Sequence, residues 1–264
     1  MALPPPGEGQ IALVTGASSG IGAEFSRQLA GRGYRVALVA RRAERLERLA
    51  EELGGFGRAV AIPADLAAPD GRERLAERLE QLGDAVEILV NNAGFGLYSE
   101  FAAEGREREL EQLRLDVEAV VDLMARYLPT MLASGRGAII NMSSTAGFQP
   151  LPYNASYAAA KAYVLWLSEA VHEEVRGRGV TVTAVCPGPV PTEFQQVNRA
   201  EFSRRLPRVV WVSAARVVAD ALAAADEGRR WVIPGGPHVK AAFAPSRVAP
   251  SALSLAFTKR LMRA

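Results

Sequence analysis

Tyr157 and Lys161 stand four residues apart, a spacing that could do acid–base chemistry. Positions i and i+4 share one face of a helix, so the phenol and the ammonium become neighbours. A free tyrosine titrates near pH ~10 and is a poor acid–base group at neutrality. A cation held beside it favours phenolate and brings its pKa toward a usable range. Of the 31 basic residues only Lys161, Lys240 and Lys259 are lysines. A chain that otherwise writes arginine has the compact ammonium at this position. Tyr-x-x-x-Lys alone is also a common pattern of plain amphipathic helices. Ser144, thirteen residues before Tyr157, ends an apolar strand. Its hydroxyl can donate to a carbonyl oxygen and stabilise charge developing there. Ser143 and Thr145 read instead as ligands of local backbone.

A second group lies near the start. An apolar strand runs into Gly16-Ala17-Ser18-Ser19-Gly20-Ile21-Gly22, which opens a helix. Glycine lets the backbone approach a pyrophosphate, and the freed N–H groups with the helix N-terminus face the negative charge. Placed after the first strand of a repeating β/α chain, this turn reads as a dinucleotide site. An acidic residue ending the next strand would bind a ribose 2′-hydroxyl, but Ala40-Arg41-Arg42 stands there. Two guanidinium groups suit a 2′-phosphate, so NADP(H) is favoured over NAD(H).

These groups need a scaffold, and the pattern supplies one. Strands are predicted at Gln10–Thr15, Tyr34–Ala40, Arg58–Ala64, Ile88–Asn91, Ala138–Asn141, Val180–Cys186 and Arg230–Ile233. Helices are predicted at Gly20–Gly31, Glu44–Leu53, Gly71–Leu82, Arg106–Ala133 and Ser156–Gly177. Strands apolar throughout, each followed by a crossover helix, imply an α/β, Rossmann-like doubly wound parallel sheet of about seven strands with helices on both faces. The alternation never pauses for a linker, so residues 1–264 read as one domain. Residues 1–9 form a flexible start, 194–212 a substrate-loop region and 240–264 a C-terminal tail.

In order and spacing the motifs resemble the short-chain dehydrogenase/reductase family, in its single-domain branch. The resemblance runs from Gln10 to Pro234. It rests on Thr15 to Gly22, Asp65-Leu66, Asn91-Asn92-Ala93-Gly94, the Ser144, Tyr157 and Lys161 set, and Pro187-Gly188-Pro189-Val190-Pro191-Thr192. It implies hydride transfer between a nicotinamide and a carbonyl or alcohol carbon. Tyr157 would then be the proton donor in reduction and the base in oxidation. Lys161 would lower its pKa, bind the nicotinamide ribose and feed a water-linked relay, and Ser144 would polarise the carbonyl. The resemblance places Gly16, Ser18, Ser19, Gly20, Ile21 and Gly22 on the cofactor, with Asp65 and Leu66 near adenine. Asn91, Ala93 and Gly94 would line the groove, and Pro187, Gly188, Val190 and Thr192 would surround the carboxamide. Asp116 stands where the family usually has an asparagine whose main-chain carbonyl holds the relay water. A carboxylate there would compete for the charge of Lys161. Ser19 stands where many NADP-binding relatives carry a basic residue, so the cofactor preference rests on Arg41 and Arg42.

Bulk properties exclude other classes. The 264 residues are 49% hydrophobic and 23% charged, with a net charge of +2 and interspersed signs. That balance suits a globular chain without a nucleic-acid patch. Cys186 is the single cysteine and His172 and His238 lack metal-ligand spacing, so neither disulfide nor metal site is expected. Met1–Gln10 holds no leader pattern and no apolar run reaches a membrane span, which together imply a cytoplasmic protein. Phe95, Phe148, Tyr153, Phe194, Phe202, Leu206 and Trp211 suggest an apolar ketone or aldehyde as the small-molecule substrate. The alanine-rich Tyr157 helix and the Arg106–Ala133 helix resemble the family's dimer face, pointing to a homodimer or homotetramer. Ser251–Arg263 is amphipathic and reads as docking on its own or a sister subunit ahead of a membrane surface. A catalytically silent NADP(H)-binding regulator or scaffold would need the glycine turn but not Ser144, Tyr157 and Lys161 together. Arg41→Ala is expected to erode the preference for NADP(H) over NAD(H), measured as the ratio of the two dissociation constants. An unchanged ratio would refute the assignment to Arg41.

Overall fold

The strands have little freedom in where they pack, because both of their faces are apolar. Ala12 and Val14 join one core with Leu29, Leu46 and Leu222, while Ile11 and Leu13 join a second with Leu75, Leu123 and Val164. A strand covered on both sides reads as continuous hydrophobic sequence. Residues 3–197 and 207–262 are described by the computed structural model. The parallel sheet holds β1 (Gln10–Thr15), β2 (Arg35–Ala40), β3 (Ala59–Pro63), β4 (Ala85–Asn91), β5 (Gly137–Met142), β6 (Val180–Val185) and β7 (Trp231–Val232). Their spatial order is β3-β2-β1-β4-β5-β6-β7. Order reverses between β1 and β4, and open α/β sheets bind ligands outside the strand C-termini at such a point.

The helices are α1 (Gly20–Gly31), α2 (Ala43–Glu52), α3 (Pro69–Leu82), α4 (Phe101–Glu104), α5 (Arg106–Leu113), α6 (Ala119–Ser134) and α7 (Ala155–Glu174). After them come α8 (Phe194–Val197), α9 (Ala214–Asp226), α10 (Pro237–Phe243) and α11 (Ser251–Met262). Helices α1, α2 and α9 cover one face of the sheet, and α3, α6 and α7 the other. The expected helix over Arg106–Ala133 is not one regular element. A π-turn, Arg114–Glu118, separates α5 from α6, and this widened turn carries Asp116. Such turns insert an extra residue and rotate the helix face beyond them. Helix α9 lies outside the predicted helices. Its sequence AARVVADALAAAD is nearly all small and apolar, so it lacks the polar stripe that marks a surface helix.

Among the described residues no helix is long and apolar enough to cross a membrane. Among them, too, no group of three or more His, Cys, Asp or Glu residues is placed to hold a metal ion.

Gly179 leads into β6 with φ 80°, and a Cβ there would land on the Gly135 backbone carbonyl. Gly179→Ala is expected to lower stability by about 2 kcal/mol or more. Urea unfolding with an unchanged midpoint would contradict that packing.

Candidate active site

The first strand delivers its turn to the sheet edge as the glycines require. Gly16 (φ 68°) and Gly20 (φ 56°) adopt a left-handed backbone that other residues avoid. A Cβ on Gly22 would drive into the Gly16 carbonyl and come within 2.6 Å of Asn92 Nδ2. Gly22 is therefore a packing residue, buried away from the cavity beside it. The Thr15 hydroxyl donates to the Val90 carbonyl (3.2 Å) and accepts from Asn92 N (2.9 Å) and Ala93 N (3.0 Å). That clasp fixes the β1 and β4 ends against each other.

Asn91 and Asn92 divide their work differently from the sequence expectation. Asn91 is buried and donates to Asn141 Oδ1 (2.9 Å), tying β4 to β5, and it does not line the groove. Asn92 lines it and donates to the Thr15 carbonyl (2.9 Å). Strand alternation could not decide between them, because both faces of β4 are buried.

A cavity of about 760 Å³ runs along the C-terminal edge of the sheet. One end is walled by Gly16, Ser18, Ser19, Gly20 and Ile21, with Arg41, Arg42, Asp65 and Leu66 beyond. Ala93, Gly94, Pro187, Gly188, Val190 and Thr192 continue the wall, and Ser144, Tyr157 and Lys161 line it together. Phe243 of α10, Ser246, and Ser254 and Thr258 of α11 also line it. The tail thus docks on its own chain and forms part of the cavity wall. Arg247 anchors it, ion-paired to Glu169 of α7 (2.7 Å) and lying 4.5 Å from the centre of the Trp231 ring. Of the aromatics expected around a substrate, Phe95 and Phe194 face the cavity, whereas Phe148 packs edge-on against Trp231. Tyr153 and Trp211 are also absent from the wall, and Phe202 and Leu206 lie outside the described residues.

Ser144 is the N-cap of the short 3-10 turn Thr145–Phe148, its Oγ accepting from Ala146 N (3.1 Å). The Ser143 hydroxyl donates to the Lys161 carbonyl (2.7 Å), and Thr145 Oγ1 donates to the Pro187 carbonyl (3.3 Å). Both hydroxyls bind backbone, in the role read for them. Lys161 is buried. Its Nζ donates to the Met142 carbonyl (3.2 Å), lies 3.6 Å from Asp116 Oδ2 and 5.5 Å from the centre of the Tyr157 ring. Asp116 has no exposed surface and stands behind the cavity wall. Its Oδ1 accepts from Phe95 N (3.1 Å), and Oδ2 has no hydrogen-bond partner among the described residues.

This arrangement corrects the expected electrostatics. Burial raises the Asp116 carboxyl to about 6, with Lys161 and Phe95 N opposing. The Tyr157 phenol lies above its ordinary value in the chain alone. Burial is the main cause and Asp116 the second, while a hydrogen bond with Ser144 pulls the other way. The physical reason is first the loss of water around the phenol and second the negative charge of Asp116, which also pairs with Lys161.

The arginines also differ from each other. Arg41 is 63% exposed and lies 3.6 Å from Glu111. Arg42 donates to Ser18 Oγ (3.0 Å) and Ser19 Oγ (2.9 Å), joining the end of β2 to the glycine turn. Arg42 and Arg45 both ion-pair with Glu193 (2.9 and 2.7 Å), a residue the sequence reading did not single out.

A family model for short chain dehydrogenase matches residues 10–202. The Bacillus subtilis protein described as uncharacterized oxidoreductase YvrD is 35% identical over 184 residues, 70% of each chain. The human very-long-chain 3-oxoacyl-CoA reductase is 30% identical over 219 residues, 81% of this chain and 70% of the relative. Among solved structures, a short-chain dehydrogenase from Sphingobium yanoikuyae in complex with NADPH superposes with a TM-score of 0.81. It is 33% identical, and the match covers 93% of this chain and 94% of that one. The parallel sheet, the glycine turn and the extent of these matches lead to one assignment: the chain belongs to the short chain dehydrogenase family of nucleotide-binding oxidoreductases, which act on CH–OH and C=O groups.

Proposed function

We propose that this protein is an NADP(H)-dependent reductase or dehydrogenase of one domain, acting on a bulky apolar ketone or the matching secondary alcohol. The observation that carries the reading is the meeting of Ser144, Tyr157 and Lys161 on the wall of the cavity that begins at the glycine turn. The cradle fits a dinucleotide: Gly16 and Gly20 open it with left-handed backbone, and polar groups flank it. Gly16, Ser18, Ser19, Gly20 and Ile21 hold the pyrophosphate, and Asp65 and Leu66 receive adenine. Ala93 and Gly94 flank the ribose, and Pro187, Gly188, Val190 and Thr192 receive the carboxamide. Arg42 and Arg41 face the 2′-phosphate. A bound nicotinamide supplies the hydride. Ser144 Oγ donates to the substrate oxygen and holds charge developing there. Tyr157 Oη gives that oxygen a proton in reduction and takes it back in oxidation. Lys161 keeps a positive charge behind the phenol and offers its remaining donors to ribose hydroxyls.

The bulk of the substrate is read from the cavity's apolar lining. Phe95, Leu115, Leu151, Phe194 and Phe243 form that lining, with Gln149, Ser254 and Thr258 as polar points. The human relative's name specifies a very-long-chain 3-oxoacyl substrate, which is also a bulky ketone. Tyr163 and Trp166 are exposed on α7, and we read that face as the contact between copies in a homodimer or homotetramer.

A panel of ketones, aldehydes and alcohols, followed near ~340 nm with NADP(H) and NAD(H), tests the reading. Turnover is expected with bulky ketones and NADPH, and Tyr157→Phe is expected to reduce it by about a hundredfold or more. Absence of turnover on every member, or full activity of the phenylalanine variant, refutes it. The buried acid adds a pH signature. Asp116 is neutral below about 6 and negative above it, and the negative form raises the Tyr157 pKa. As pH rises through 6 the phenol becomes a weaker acid, so reduction is expected to fall across a limb centred there. Asp116→Asn is expected to lack that limb and to keep about half or more of wild-type turnover at neutral pH. A hundredfold loss would instead make the carboxyl itself a participant.

A further inference from the structure

The turn after β6 places two polar side chains on groups that the cofactor reading assigns to a ligand. Gln195 carries a primary amide, the same functional group as the nicotinamide carboxamide. Its Nε2 donates to the Val190 carbonyl, while its Oε1 accepts from Thr192 N (3.1 Å) and from Thr192 Oγ1 (3.5 Å). The cavity wall therefore presents a carbonyl, an N–H and a hydroxyl that together satisfy a primary amide, and Gln195 supplies one. Two residues earlier, Glu193 supplies an anion. Its carboxylate accepts from Arg42 Nη1 (2.9 Å) and from Arg45 Nη1 (2.7 and 2.9 Å). Both arginines hold the carboxyl below its usual range. The same Arg42 reaches Ser18 and Ser19 of the glycine turn, where a phosphate would seat. Thr192 lies against Gly20, where an added Cβ would come within 3.1 Å of its Cγ2. One short turn thus spans the cavity wall from the adenosine end to the nicotinamide end.

We propose that the Thr192–Gln195 turn is an internal placeholder for the dinucleotide, Gln195 standing in for the carboxamide and Glu193 for the 2′-phosphate. The inference rests on the cofactor reading above and extends it to two residues that oppose binding. On entry the cofactor's amide replaces the Gln195 amide on Val190 and Thr192, and its 2′-phosphate replaces the Glu193 carboxylate on Arg42. No bond is made or broken. One set of hydrogen bonds and ion pairs is exchanged for another, so each stand-in weakens the ligand group it imitates. The turn also carries Phe194, whose ring packs 5.7 Å from that of Tyr157. Its displacement therefore reaches the acid–base residue, and cofactor occupancy is felt on the substrate side.

The two halves of the claim separate by ligand. Calorimetric titration of the full chain with NADP⁺, NAD⁺, 2′,5′-ADP and 5′-ADP reads affinity without turnover. Glu193→Gln is expected to tighten NADP⁺ and 2′,5′-ADP by about fivefold, the scale of a half-exposed ion pair, leaving NAD⁺ and 5′-ADP unchanged. Gln195→Ala is expected to tighten NADP⁺ and NAD⁺ by a similar factor of about five, the worth of a neutral hydrogen bond, leaving both ADP ligands unchanged. The inference stands only on both patterns. Weaker binding, no change, or an equal change across all four ligands in either variant overturns it, because that side chain then shapes the turn without competing. Failure of the wild-type chain to bind either dinucleotide would overturn the cofactor reading as well, a different result from tight binding that the variants leave untouched.

Discussion

A buried ammonium holds the centre of this molecule together. Lys161 sits on α7, yet its Nζ reaches the Met142 carbonyl at the end of β5 and faces Asp116 in the π-turn before α6. Its own carbonyl accepts from Ser143, and Gly147 packs so closely on its backbone that a Cβ would come within 2.7 Å. Two elements and two turns therefore converge on one residue. A charge removed from water is tolerated only when paired and hydrogen-bonded, so the Met142 carbonyl and Asp116 are constrained by the need to satisfy it, while Ser143 and Gly147 fix the backbone that carries it.

The same pair lies beside the Tyr157 phenol. A lone lysine beside a phenol would favour phenolate, but here a buried carboxylate stands behind the lysine and offsets it. Burial then dominates, and the phenol is held in its protonated form. Gly94 belongs to the same constraint, because a side chain there would meet Asp116 Oδ1 at 2.6 Å.

The cavity joins parts of the chain that lie far apart in sequence. Its walls begin at the first turn and end on α11, more than two hundred residues later. Ser254 and Thr258 are buried there, and Thr258 Oγ1 returns a hydrogen bond to the Ser254 carbonyl (2.7 Å) within its own helix. The tail is thus a wall of the site as well as a packing element.

Much was legible in the residues themselves. Continuous apolar runs separated by amphipathic segments require a parallel sheet covered on both faces, because no other arrangement buries both sides of each strand. The glycine turn follows from backbone conformations that favour glycine, and the proximity of Tyr157 and Lys161 from helical periodicity. Other features depend on through-space relations with no fixed sequence spacing. Whether Asn91 or Asn92 faces the groove was decided by what each could hydrogen-bond across the sheet. The raised pKa of Tyr157 was decided by its burial, and then by a π-turn that brings Asp116 close. The pairing of Glu193 with Arg42 and Arg45 joins residues about 150 positions apart in the chain. Local pattern reports what each segment does alone, while burial and charge pairing are properties of the assembled interior, which exists only after those segments have packed.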